Sequence, residues 1–169
     1  MQKTSEILRL ISLSILFGGS AAVVFVAVIL VKAAVAQGIP QSEAAGINAP
    51  AFIQFAKVVA GAAVMLLAAE ALNFAAIKQG AIEMTKTTFP RLAASLICAV
   101  TAFIFAFAIV PPMDELRPLI KTDEAKAAEF RKLHEVSRGV FGATILFALV
   151  SLVLPVFGAT ASKQRAATV

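Results

Sequence analysis

LISLSILFGGSAAVVFVAVILV, residues 10–31, carries no charged side chain and is interrupted only by glycine, serine and alanine. A helix of that length rises ~33 Å, enough to cross a ~30 Å hydrocarbon core. The rest of the chain has the same character. Of its 169 residues 60% are hydrophobic and 15% charged, with a mean hydropathy of +0.90, against ~45–50% and ~25% in soluble domains. The run is preceded by Lys3 and Arg9 and ends near Ala34-Val35-Ala36-Gln37, a small-residue pattern of the kind signal peptidase cleaves. Its apolar core exceeds the ~7–15 residues of a signal peptide, so it reads as a membrane span.

Three further runs follow. Gln37–Pro50 carries Gly38, Pro40, Gly46 and Pro50 and reads as a loop. Residues 52–77 form a second span that contains Lys57, Glu70 and Asn73. A basic loop with Pro90 leads to a third span at 92–110, closed by Pro111-Pro112, which a helix does not easily continue through. The charged segment that follows contains Thr122-Asp123-Glu124, a helix start with a hydroxyl N-cap and acids in the first turn. From about residue 123 a fourth helix runs through water and crosses the membrane over 136–157, ahead of a small, polar and basic tail after Gly158. The expected architecture is one all-α transmembrane domain over residues 1–169, an integral membrane four-helix antiparallel bundle.

Four spans put both termini on one side. The terminal side holds Lys3, Arg9, Lys78, Lys86, Arg91, Lys163 and Arg165, with the acids Glu6 and Glu83. The other holds Lys32, Arg117, Lys121, Lys126, Arg131, Lys132 and Arg138. Bases alone give a tie under the positive-inside rule, and the flanking Lys3 and Arg9 of the first helix favour cytoplasmic termini. The net charge of +5 is spread along the edges of apolar runs and forms no dense tract, so nucleic acid is not an expected partner. Cys98 is the only cysteine, which excludes an intramolecular disulfide and a multi-cysteine metal site. No tryptophan or tyrosine marks the interfaces. Close helix contact is favoured by small residues at Gly18 and Ala22, Ala60 to Ala63, and Gly139, Gly142 and Ala143.

Two sets of polar residues stand out. Glu70 lies about seven residues inside its span, where a carboxylate costs on the order of 2.5–3.5 kcal/mol, and must be protonated, paired or wet. Lys57 is thirteen residues away on another face and snorkels to the surface instead. Asn73, one turn on, shares a hydrogen bond with Glu70 in this reading, and Arg9 or Arg91 approaches from neighbouring helices. The second set is the junction where helix four enters the membrane: His134 one turn from Ser137 and Arg138, with Glu135 beside it and Arg117 in the preceding loop. Here His134 and Ser137 are expected to form a polar clasp that holds the third loop to the bundle. A single imidazole suffices for one axial bond to a haem-like macrocycle but not for a tetrahedral zinc site, so no cofactor and no metal is expected. The chain has no phosphate loop, nucleophile elbow or His-Glu-x-x-His, and an enzyme is not expected.

Arg91 opening a helix, Val110-Pro111-Pro112, Leu116-Arg117 and then Phe130-x-x-Leu133-His134-x-x-Ser137 resemble a bacterial four-span membrane family of unknown function related to eukaryotic transmembrane protein 205. The resemblance covers Arg91 to about Phe147. It implies a bacterial inner-membrane location and a polar cluster of His134, Ser137, Arg117 and Arg91, with no settled activity. Phe141 stands where the family pattern implies asparagine. The leading functional expectation is a non-catalytic structural or accessory subunit, with the lipid bilayer and other membrane subunits or further copies as partners. The alternative is a small carrier or binding protein for a proton, metal ion or lipophilic ligand, using Glu70 inside the bundle and His134 at its rim.

Overall fold

In the computed structural model the described residues are 2–82 and 84–166, with the side chains of 2, 41, 42, 45 and 158–166 outside the description. Glu83 and the side chains of Lys163 and Arg165, counted above for orientation, therefore lie outside it, as does the character of the tail after Gly158. Four helices among the described residues are long and apolar enough to cross a membrane: Lys3–Ala36, Ala49–Lys78, Thr88–Leu119 and Glu124–Phe157. The fourth continues as regular helix to Ala166, through Gly139 and with Pro155 inside it. Each span packs on the next in sequence, and the fourth closes on the first. The result is the expected antiparallel ring of four.

The breakers act differently from their sequence reading in three places. Gln37–Pro50 is mostly helical: the chain turns at Gly38, where φ is +85° and a Cβ would be strained, then forms a short helix over Gln41–Ile47. Helix two starts at Ala49 with Pro50 in its first turn, where no amide partner is lost. In the same way Pro111 and Pro112 do not close helix three. They occupy the first turn of a helical segment, Val110–Leu116, that follows directly on a π-turn over Ile104–Ile109. The wide turn reseats the hydrogen-bond ladder, so the prolines fall where a helix tolerates them. At helix four the cap is Asp123, whose Oδ1 accepts from the amides of Ala125 at 2.9 Å and Lys126 at 3.1 Å. Thr122 bonds the Leu119 carbonyl instead.

A second π-turn, Ile15–Gly19, interrupts helix one. Its extra residue sets the register of buried hydroxyls. Ser5 and Ser12 are seven apart and Ser20 follows eight on, yet all three are buried, because the inserted residue keeps Ser20 on the inner face. Helix four, which packs on helix one, buries Ser137, Thr144 and Ser151 at a strict spacing of seven. Between these hydroxyls the core is built of small side chains, Ala56, Ala60, Ala63, Ala99, Ala102 and Ala148 among them, with Leu13, Leu16 and Leu66. Close approach of helices is what such residues permit in a membrane, where hydrophobic burial supplies little drive between spans.

Phe141 organises the loop-side half of the core. Its ring lies 4.4 Å from that of Phe105 and meets Phe52 and Phe55 edge-on at 6.3 and 6.5 Å. Gly19 leaves room for this cluster, since a Cβ there would sit 3.2 Å from Phe55 Cζ. Truncation of a buried phenylalanine costs about 3–5 kcal/mol in a well-packed core. Phe141→Ala is therefore expected to lower the thermal unfolding midpoint in detergent, whereas Phe25→Ala, at a ring 67% exposed, leaves it near the parent value.

Candidate functional site

At the terminal end of the bundle the four spans contribute polar side chains to one buried network. Glu70, 4% exposed, points inward from helix two. Its Oε1 accepts from Arg91 Nη1 at 2.6 Å and from Ser95 Oγ at 2.8 Å, both on helix three. Ser95 Oγ also lies 2.6 Å from Ser151 Oγ on helix four. A hydroxyl has one proton to give, and Ser95 gives its own to Glu70, so Ser151 donates to Ser95 and the chain of hydroxyls runs toward the carboxylate. Helix one enters through Arg9, 2% exposed. Its Nη1 donates to the Ser151 backbone carbonyl at 3.2 Å, while Nε and Nη2 grip Glu6 as a fork, the Nε contact being 3.1 Å. Ser5 Oγ donates to Asn73 Oδ1 at 2.8 Å.

The electrostatics balance within this layer. Glu70 is matched by Arg91, and Glu6, half-exposed at 48%, by Arg9. Both guanidiniums are shielded by protein, and the planar fork of arginine suits a buried carboxylate better than a lysine would. Glu70 Oε2 is different. It is buried and has no hydrogen-bond partner among the described residues, a state it shares with Ser20 Oγ at the π-turn of helix one.

Of the residues singled out in the sequence, Glu70, Asn73 and Arg91 fall in this layer. Arg91, rather than Arg9, reaches Glu70, and Asn73 bonds Ser5 rather than Glu70. Lys57 faces outward and donates to Gln54 Oε1 at 3.0 Å. Missed in the sequence were Ser95, Ser151, Ser5 and the role of Arg9 as a bridge to helix four. Serines are frequent in apolar helices, and the one available signal was the seven-residue repeat of hydroxyls on helix four.

The junction cluster is not brought together. His134 is exposed and its imidazole stacks in parallel on Phe130 at 6.4 Å. The Ser137 hydroxyl turns back to the His134 carbonyl at 2.7 Å, satisfying itself within its own helix. Arg117 pairs with Asp114 at 3.3 Å and lines a shallow cavity of about 500 Å³ with Glu43 and Lys121. Arg138 and Glu135 are exposed and unpaired among the described residues. The expected clasp of His134 and Ser137 with Arg117 is thus replaced by local contacts: Ser137 and Arg117 meet acceptors within their own helical segments, and His134 stacks on Phe130. The third loop is tied instead by Lys121 to Glu43 of the first loop, at 3.0 Å. That pair is exposed and contributes ~0–1 kcal/mol. Among the described residues no three histidine, cysteine or acidic side chains converge to hold a metal.

Four apolar helices tied at one end by a buried polar layer define an integral, multi-pass membrane bundle. The chain belongs to the family described as a domain of unknown function (DUF4149), whose model matches residues 11–121. That match takes in the first three spans, with Glu70, Asn73, Arg91 and Ser95, and stops short of helix four. Neither a curated protein nor a solved structure matches the chain.

Removing one partner of a buried ion pair strands a charge and costs about 3–5 kcal/mol. Arg91→Ala is expected to destabilise the detergent-solubilised bundle by that order, and Glu70→Leu combined with Arg91→Leu by less than the two single changes summed. A double-mutant cycle on thermal or denaturant unfolding checks it. His134→Ala, at an exposed side chain, is expected to stay within about 0.5 kcal/mol of the parent.

Proposed function

We propose that the chain is a non-catalytic structural or accessory subunit of a larger membrane assembly, and that other membrane proteins or further copies of itself pack against it. The observation that carries this reading is the polar layer: each span spends buried polar side chains on its neighbours, so the interior serves cohesion of the bundle. Support also comes from helix one beyond its π-turn. Ser20–Ala36 is apolar on all sides up to Lys32, packs mainly on the short helix Gln41–Ile47, and presents Phe25, Val26, Val28 and Ile29 outward. The resemblance read in the sequence from Arg91 to about Phe147 supports a bacterial inner-membrane location for this subunit. Both termini are then cytoplasmic.

A photo-crosslinking amino acid at position 25 tests the assignment in intact membranes, together with purification in mild detergent. Protein-to-protein adducts and a co-purifying complex are expected. Adducts to lipid alone, with a solitary monomer in detergent, overturn the reading. For orientation, a cysteine introduced at Ser42 of the first loop, in a Cys98→Ala background, is expected to react with an impermeant maleimide added outside the cell. Reaction only after lysis reverses the topology.

A further inference from the structure

We propose that Glu70 Oε2 is a proton-binding site at the terminal end of the bundle. This goes beyond the scaffold reading and does not depend on it. The two oxygens of this carboxyl have unequal surroundings. Oε1 accepts from Arg91 Nη1 and Ser95 Oγ, and Oε2, buried, takes no donor among the described residues. An ionised carboxylate with one bare oxygen is costly in a medium that offers no water, and the cost of an undonated charged group exceeds that of an undonated neutral one. Arg91, at 2.6 Å from the other oxygen, opposes this by favouring the charged form.

A proton added to Oε2 breaks no existing bond. Oε1 becomes the carbonyl oxygen of a neutral acid and still accepts from Arg91 and Ser95, and the Ser151 to Ser95 chain keeps its direction. The proton comes from water at the terminal face, where Arg91 is 12% exposed, and the layer gains one positive charge. The charged groups that bear on the event are Glu6 and Arg9 on helix one, Arg91 on helix three, and Lys78 over the Phe74 ring further along helix two. Helix four contributes the neutral Ser151 among the described residues. Glu6 is held first by Arg9 and also feels Arg91, and Arg91 is the cation in direct contact with Glu70 among the described residues. Loading the proton removes the ionic part of the link between helices two and three while leaving its hydrogen bonds.

Infrared difference spectroscopy of the full chain in lipid reads the protonated carboxyl directly. Between the parent and Glu70→Gln, a C=O band is expected that grows as pH falls and shifts to lower frequency in D₂O. Glu6→Gln is expected to retain it. Because Glu70→Gln can fail to fold, the parent protein is also treated with dicyclohexylcarbodiimide, an apolar reagent that adds across its C=N bond to a protonated carboxyl. The carboxyl oxygen bonds the carbodiimide carbon, its proton passes to nitrogen, and rearrangement leaves a stable acylurea. Peptide mapping is expected to place the adduct on Glu70, forming faster at low pH. An unmodified Glu70 peptide at the lowest pH that preserves the fold overturns the proposal, and so does a carboxyl band unchanged in Glu70→Gln.

Discussion

The bond from Arg91 to Glu70 is the constraint on which the arrangement of the four helices rests. A carboxylate placed this far inside a span costs on the order of 2.5–3.5 kcal/mol if nothing meets it. The sequence therefore demands a cation at the same depth on a neighbouring helix. Arg91 supplies it from the start of helix three, 2.6 Å away, and that contact fixes the height of helix two against helix three. Ser95, one turn further, shares the same carboxyl oxygen and reaches Ser151, which sets helix four. The Ser151 carbonyl then receives Arg9, and helix one is set in turn. One buried charge thus propagates through hydrogen bonds to the whole ring.

A second layer, chemically opposite, completes the interior. Ser151 and Phe141 are ten residues apart on helix four, ~15 Å by helical rise, and at the second level the core is aromatic. Phe141 fills the space that its helix would otherwise leave between Phe52, Phe55 and Phe105. An asparagine in place of Phe141 would have to find polar partners among these rings. With phenylalanine there, the buried charges Arg9 and Glu70 stay at the terminal end, and the buried polar groups elsewhere, Thr144, Ser137 and Asn48 among them, are neutral. The two π-turns serve the same division. Each inserts one residue near the aromatic level, on helices one and three, and shifts the inner face so that buried positions stay in register on both sides of it.

Much of this was legible because membranes simplify the problem. Uncharged runs of sufficient length fix the number of helices, and charges inside them flag themselves, as Glu70, Asn73 and Arg91 did. What could not be read has specific causes. Prolines 50, 111 and 112 look like terminators, but a first-turn position removes their penalty, and for Pro111 and Pro112 that position depends on a π-turn no periodicity reveals. Ser95 and Ser151 look like ordinary small residues, since a hydroxyl in a helix usually bonds its own backbone, as Ser12 and Ser137 do. His134 drew attention by being alone. Uniqueness in composition says nothing of burial, and its side chain lies outside the bundle.

Helix one shows how the polar layer and the π-turn together divide a single span. Up to Ser14 it is an amphipathic element whose inner face, Ser5, Arg9 and Ser12, is buried against helices two and four. After Gly19 it carries no inner polar face beyond Ser20, and up to Lys32 its side chains are apolar in every direction. A helix of that kind gains nothing from one orientation over another. Beyond the aromatic level helix one is held by the Asn48 amide on the Ala27 carbonyl and by the short helix beneath it, and the rest of its surface faces outward. The same span is thus part of the bundle at one end and part of the bundle's outer surface at the other. The change falls at Gly18-Gly19, where the absent side chain of Gly19 admits Phe55 and the extra π residue turns the face.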